Sequence, residues 1–432
     1  MTTSGIQNAD AGSAELRSKA AAAKTASRAL ARLSSEVKDK ALRTIAKALT
    51  EREEEIIAAN DKDCEQGKRD GLDEAFLDRL MLNPKRLEAI AADVRRVADL
   101  PDPVGESFDM RVLPNGLQIG KRRVPLGVIG TIYESRPNVT IDISVLCVKS
   151  GNAVVLRGGK ESLHSNKALA AVVRDALGAA GAPADAVQLV ESTDRALVTE
   201  MLHLREYIDL MVPRGGEQLI RFVAANATMP VIAGGVGVCH TYVDSSAKVD
   251  MAKAIIFNAK VQRPSVCNAL DTVLVHKDVA GRALPEIARE LAKAGVEMRC
   301  DLRALSILQP TGIANLKAAQ QDDWGKEYLA LIAAVKVVDG LDDALGHIER
   351  YGSGHSEAII TEDYTSATRF MNEVDAAAVF VNASTRFTDG SQFGLGAEVG
   401  ISTQKFHARG PMGLREMTSY KWTVFGTGQV RP

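Results

Sequence analysis

The sequence predicts an α/β protein of two successive units, each built on parallel strands. Three observations carry this. Short apolar runs alternate with helical patterns from Leu126 onward. The alternation restarts after about residue 236. A helical stretch precedes both units. Strands that alternate with helices are joined by crossovers, and crossovers join parallel strands.

The opening stretch, roughly residues 13 to 100, reads as helix. Leu42, Ile45, Ala46 and Leu49 recur at i, i+3, i+4 and i+7 and give one apolar face. "PDPVGES" interrupts the pattern. "RVLPNGLQIGKRRV" then reads as a β-hairpin, with Asn115-Gly116 as its turn. It is too polar for a core hairpin, which suggests an arm that pairs with another subunit.

In the first unit, "LGVIGTIY", "NAVVLRGG", "AVQLV", "YIDLMV" and "MPVIAGG" read as strands. "ESLHSNKALAAVVRDALGAAG" is a helix with Leu169, Val172, Val173 and Ala176 on one face. "RALVTEML" and "GGEQLIRFVAANA" are further helices. In the second unit, "VCHTYVD", "ALDTVLVH", "YLALIAAVKVV", "SEAII" and "AAVFVN" read as strands. Helices are expected over "DMAKAIIFNAKVQ", around residues 283–293, and over "TEDYTSATRFMNEV", where Ala367, Phe370, Met371 and Val374 share a face. Two units in series suggest a ligand cleft between them.

Composition narrows the function. The 432 residues carry a formal net charge of −2, which argues against a general nucleic-acid binder. Five cysteines, far apart and odd in number, argue against a disulfide framework and a structural zinc, so no metal is expected. The start lacks the basic and apolar regions of a signal peptide, and no apolar run approaches the roughly 18 residues of a membrane span. A cytoplasmic location is the expectation.

Four stretches carry candidate chemistry. "VVLRGGKES" is a strand, a glycine turn and a helix; Arg157 and Lys160 there are suited to a phosphate, though an ordinary strand-to-helix turn has the same form. "LMVPRGGEQLI" repeats the logic with Gly215 and Gly216. Two such turns would share the carboxyl edge of a parallel sheet, where ligands bind. "FGLGAEVG" imitates a dinucleotide fingerprint with the wrong spacing and reads instead as a glycine-rich loop lining the cleft. In "NAKVQRPSVCNALDT", Cys267 follows a helix that Pro264 ends, beside Arg263. Most cysteines are inert core residues. A turn with a neighbouring cation favours the thiolate, the nucleophilic form. Cys147 has apolar neighbours and reads as core; His240 serves equally as an acid–base group or a structural one.

"GVIGTIYESRPNVT", "LMVPRGG", "NAKVQRPSVCNALDT" and "NASTRFTDGSQFGLGAEVGISTQKFHARGPMGL", in this order, resemble the aldehyde dehydrogenase superfamily, in its branch that reduces an acyl phosphate of glutamate. The resemblance implies an aldehyde dehydrogenase-like fold. A Rossmann-like cofactor domain would take residues 1–108 and 125–235, an α/β catalytic domain 236–408, and a small β oligomerisation arm 109–124 and 409–432. It implies NADPH as cofactor, L-glutamyl 5-phosphate as substrate, a homo-oligomer, and a glutamate 5-kinase as a partner upstream in proline synthesis. Cys267 would be the nucleophile. Arg157 stands where relatives have a lysine that contacts the adenosine, and Glu327 where a glutamate holds the nicotinamide ribose. Gly215 and Gly216 would lie beside the pyrophosphate. Two positions depart from the superfamily. Ile232 replaces a glutamate that activates water in hydrolytic relatives, and Asn138 is a shifted counterpart of the asparagine that holds the oxyanion. A substrate with a phosphate and a carboxylate asks for arginines, and Arg136, Arg263 and Arg386 are the candidates.

Overall fold

A computed structural model describes residues 3–232 and 234–431. Its contacts divide the chain into two compact units. One takes the chain up to Ile232, with Leu395–Gly400 and the chain from Met412 on; the other takes Gly234–Gly394 and Ile401–Pro411.

The first unit opens with five helices: α1 (Thr3–Leu30), α2 (Ser35–Glu51), α3 (Glu53–Arg69), α4 (Glu74–Leu80) and α5 (Pro84–Asp99). The apolar stripe read in α2 is the buried one: Leu42, Ile45, Ala46 and Leu49 are all in the core. Ser34, Asp73 and Asn83 cap α2, α4 and α5 by accepting a first-turn N–H. The hairpin follows as β1 (Ser107–Val112) and β2 (Gln118–Pro125), antiparallel.

β3 (Val128–Tyr133), α6 (Asn138–Lys149), β4 (Ala153–Gly158), α7 (Leu163–Ala180), β5 (Val187–Leu189), α8 (Ala196–Met201), β6 (Leu210–Arg214) and α9 (Glu217–Asn226) then form the α/β part. Its sheet has the order β5-β4-β3-β6, all parallel. Leu169, Val172, Val173 and Ala176 of α7 are buried as their spacing predicts. α6 escapes the periodicity because almost every side chain in it is buried, which leaves no polar face to mark a period.

"MPVIAGG" forms no strand. Val231 makes a single bridge to Met211 and Gly234 a single bridge to Ser402, and Ala233 lies outside the described residues.

The second unit contains β7 (Cys239–Val243), α10 (Val249–Val261), β8 (Leu270–His276), α11 (Lys277–Lys293), β9 (Glu297–Cys300), α12 (Leu302–Leu308), β10 (Leu316–Ala318), β11 (Ile332–Val338), α13 (Leu341–Tyr351), β12 (Ser356–Ile360), α14 (Tyr364–Glu373) and β13 (Ala378–Val381). Its seven strands run parallel in the order β10-β9-β11-β8-β7-β12-β13. The strand expected over "YLALIAAVKVV" begins only at Ile332, because Leu329 is held at φ 50°, outside the extended region. Met371 of α14 is 48% exposed, so it is not on the packed face, which Phe370 and Val374 supply. Two short strands, β14 (Ile401–Ser402) and β15 (Gly410–Pro411), pair with each other. The last strand, β16 (Thr418–Phe425), belongs to the first unit and pairs along its whole length with β2.

Candidate active site

In the first unit the candidate residues meet at the carboxyl edge of the sheet. β4, β3 and β6 are adjacent and parallel, so the turns after them share one edge. The two glycine turns are not direct neighbours, because β3 runs between them. Arg136 and Lys160 are exposed there. Arg157 is not. It is buried, and its guanidinium donates to the carbonyls of Gly158 (3.2 Å), Thr193 (3.1 Å) and Asp194 (3.3 Å). Its present work is to hold the loop after β5.

Gly216 is the N-cap of α9, and its N–H donates to Glu134 Oε2 at 3.1 Å. A Cβ on Gly215 would come within 2.6 Å of the same oxygen. The helix start is thus an anion site that the chain fills with its own carboxylate. No sequence pattern singles out Glu134, since the contact depends on how β3 lies beside β6.

Asn138 opens α6 and donates to Asp142 Oδ2 at 2.8 Å, one turn on. Burial pushes the Asp142 carboxyl up to about 6, against the pull of this hydrogen bond and of Arg214. Ile232 is buried and its N–H donates to Met211 O at 2.9 Å.

In the second unit the candidates lie at the opposite, amino edge of the sheet. β11, β8 and β7 are adjacent, and the segments that lead into them carry Glu327, Cys267 and Gly237. α10 ends at Val261, two residues before Arg263 and three before Pro264, and Cys267 follows in the turn before β8. Gly237 lies on this turn so closely that a Cβ would overlap the Cys267 carbonyl. The Gly237 N–H donates to Glu327 Oε1 at 3.0 Å.

The far side of the turn is fastened by the stretch after β13. Thr385 Oγ1 donates to Asn268 O at 2.8 Å, and Asn268 Nδ2 donates to Thr388 O at 2.8 Å. Arg386 Nε donates to Gln262 Oε1 at 2.9 Å. The Arg386 pKa is pulled down by burial and by Arg263, and pulled back up by Asp389 and Cys267. So both Arg263 and Cys267 act on the charge of Arg386.

Comparison of the five thiols favours Cys267. Cys147, Cys239 and Cys300 are buried, and desolvation pushes each pKa up, that of Cys300 to about 12. Cys64 is half-buried, and burial with Asp61 and Asp63 pushes it up too. Cys267 is half-buried beside a cation. A neighbouring cation favours the thiolate form of a cysteine. His240 is fully buried, with Nδ1 3.0 Å from Glu357 Oε2 and its ring edge-on to His347, which is a structural placement. Among the described residues no group of three or more His, Cys, Asp or Glu is arranged to hold a metal ion. No helix among them is long and apolar enough to cross a membrane.

The model of the aldehyde dehydrogenase family matches residues 3–303. A gamma-glutamyl phosphate reductase of Dehalococcoides mccartyi strain CBDB1 is 62% identical over 96% of this chain and 98% of the relative. The chain belongs to the gamma-glutamyl phosphate reductases of the aldehyde dehydrogenase family. A second reductase of this family, from Moorella thermoacetica, is 54% identical over 96% of this chain and 99% of its own length. The crystal structure of the gamma-glutamyl phosphate reductase from Thermotoga maritima superposes with a TM-score of 0.94 at 50% identity, covering 97% of this chain and all of that one. The aldehyde dehydrogenase-like α/β fold expected from the motifs is therefore the fold of this reductase family.

Proposed function

We propose that the chain reduces L-glutamyl 5-phosphate to L-glutamate 5-semialdehyde with NADPH and releases phosphate. The observation that carries this is Cys267: a half-buried thiol in a turn, beside Arg386, in a member of the gamma-glutamyl phosphate reductases.

The Cys267 thiolate attacks the acyl carbon, the carbon–oxygen bond to phosphate breaks, and phosphate leaves with the electron pair. The acyl group is then a thioester on Cys267. NADPH, held by the first unit's candidate residues, would supply the hydride that the thioester on Cys267 accepts. The oxyanion formed on the acyl carbon needs donors; the Cys267 N–H is one candidate and the Asn138 amide another. Collapse breaks the carbon–sulfur bond, frees the aldehyde and restores the thiolate. Water would destroy the thioester if a base activated it. Ile232, where hydrolytic relatives carry such a base, suits a reductase.

The cofactor assignment rests on the first unit. Gly215 and Gly216 put no side chain at the start of α9, where a phosphate would take the place that Glu134 holds, and Lys160 is an exposed cation on the same edge. Arg157 supports the site by holding the loop at Thr193 and Asp194. Glu327 is assigned to the nicotinamide ribose. Arg136, Arg263 and Arg386 are assigned to the substrate's phosphate and carboxylate. Residues 109–124 and 409–432 are assigned to a homo-oligomer contact: β16 presents Tyr420, Trp422 and Val424, all more than 45% exposed, and Lys121 of β2 lies over the Tyr420 and Trp422 rings.

The reverse reaction tests the reading. Glutamate 5-semialdehyde, phosphate and NADP⁺ are mixed with the protein and the reduced cofactor is followed by absorbance. Reduction that requires phosphate and is lost in Cys267→Ala is expected. Reduction that ignores phosphate would instead identify an aldehyde-oxidising enzyme.

A further inference from the structure

Between β7 and β8 the parallel register slips. Cys239 pairs with Leu270 and His240 with Thr272, so Asp271 is an extra residue that faces no partner. Bulges are uncommon in parallel pairs, and they re-aim a side chain. The bulge sits four residues after Cys267.

The re-aimed carboxylate is almost fully enclosed, with 2% of the side chain exposed. Asp271 Oδ1 accepts the Tyr328 N–H at 3.1 Å, and Oδ2 accepts the Cys239 N–H at 3.5 Å. Tyr328 follows Glu327. Cys239 is two residues beyond Gly237, and its Sγ donates to Cys267 O at 3.3 Å. One carboxylate therefore joins the segment that carries Glu327 to the segment that backs Cys267.

Lys260 is the counter-ion. It is fully buried, 3.6 Å from Asp271 Oδ1, and its Nζ donates to Leu270 O at 2.6 Å. Burial pushes the Asp271 carboxyl up to about 6 and pulls the Lys260 ammonium down, and each group opposes the shift of the other. Glu327 adds a second negative charge close by. Lys260 offsets the effect of that charge on Asp271.

We infer that Asp271, charged against Lys260, is a positioning residue that fixes the spacing between Glu327 and the Cys267 turn. The inference rests on the reading of Glu327 and Cys267 given above. Asp271 touches neither substrate nor cofactor; it acts through the backbone of Tyr328 and Cys239.

A double-mutant cycle between Asp271→Asn and Glu327→Ala in the full chain tests it, because residues that act as a unit give non-additive losses. The readout is the NADPH dissociation constant from cofactor fluorescence, with thermal melting as the fold control. Each single change is expected to weaken binding about tenfold, and the double change about as much as one. Additive weakening of about a hundredfold, or wild-type binding by Asp271→Asn, would overturn the inference. If Asp271→Asn does not fold, Asp271→Asn/Lys260→Met removes both charges and enters the same cycle. A wild-type protein that binds no NADPH would sink the cofactor reading instead. The positioning role is then read from the rate at which iodoacetamide alkylates Cys267: equal, non-additive changes support it and additive or absent changes refute it.

Discussion

Gly237 lies against the carbonyl of Cys267 with no room for a side chain between them. The glycine is needed for close approach, since its φ is not in the left-handed region. Gly237→Ala should push the Cys267 turn away from its place. A misplacement near 1 Å at a reacting group costs on the order of a hundredfold in rate. The expected outcome is a kcat in the NADP⁺ reduction assay lowered by about that factor. Gly178→Ala in α7 is the control: a Cβ there meets nothing within 4 Å, so activity should be unchanged.

Glu134 and the start of α9 give a prediction of opposite sign. The carboxylate on Gly216 N–H competes with any phosphate for the same donors. Glu134→Gln removes the charge and should tighten NADPH binding by roughly threefold, as the loss of one helix-end charge interaction would. Titration of cofactor fluorescence measures it. Weaker binding would mean that Glu134 contacts the cofactor directly.

Much of this is legible in the sequence, and what is not has physical causes. α2 and α7 declare themselves because each has one buried and one solvated face. α6 does not, because burial surrounds it. β16 is built mostly from exposed residues, so it lacks the alternation of a half-buried strand. Cys267 could be singled out by its turn and its arginine. Glu134 and Asp271 could not: each matters through a backbone N–H from a distant segment, and only folding brings these together. Arg157 has the same limit, since a buried guanidinium holding Thr193 and Asp194 has the same local sequence as one facing a phosphate.

Acid should weaken the second unit through two buried histidines. Burial, with His240 and Lys336 nearby, depresses His347 to about 3, and burial alone depresses His355 to about 4. Both stay neutral in the folded chain while the unfolded chain takes up protons below its ordinary value near 6.5. Stability is therefore full above pH 6.5 and falls as pH drops toward 4. Each histidine contributes at most about 1.4 kcal/mol per pH unit across that window. Urea unfolding at pH 7 and pH 5 should show the loss, and His347→Gln with His355→Gln should flatten it.

The two sheets present opposite edges to their candidate residues, and this has an electrical consequence. At the carboxyl edge of the first unit, α6, α7 and α9 begin, so backbone dipoles turn their positive ends toward whatever binds there. An anionic ligand is welcomed by the main chain itself. At the amino edge of the second unit, α10 ends at Val261, six residues before Cys267, so the helix end that precedes the turn is a negative one and does nothing to favour a thiolate. Side-chain cations must supply the reversal of that sign, and on the proposed reading Arg263 and Arg386 would serve the sulfur in this way as well as the substrate. Arginine, which keeps its charge where lysine would lose it, is the residue type that such a reversal requires.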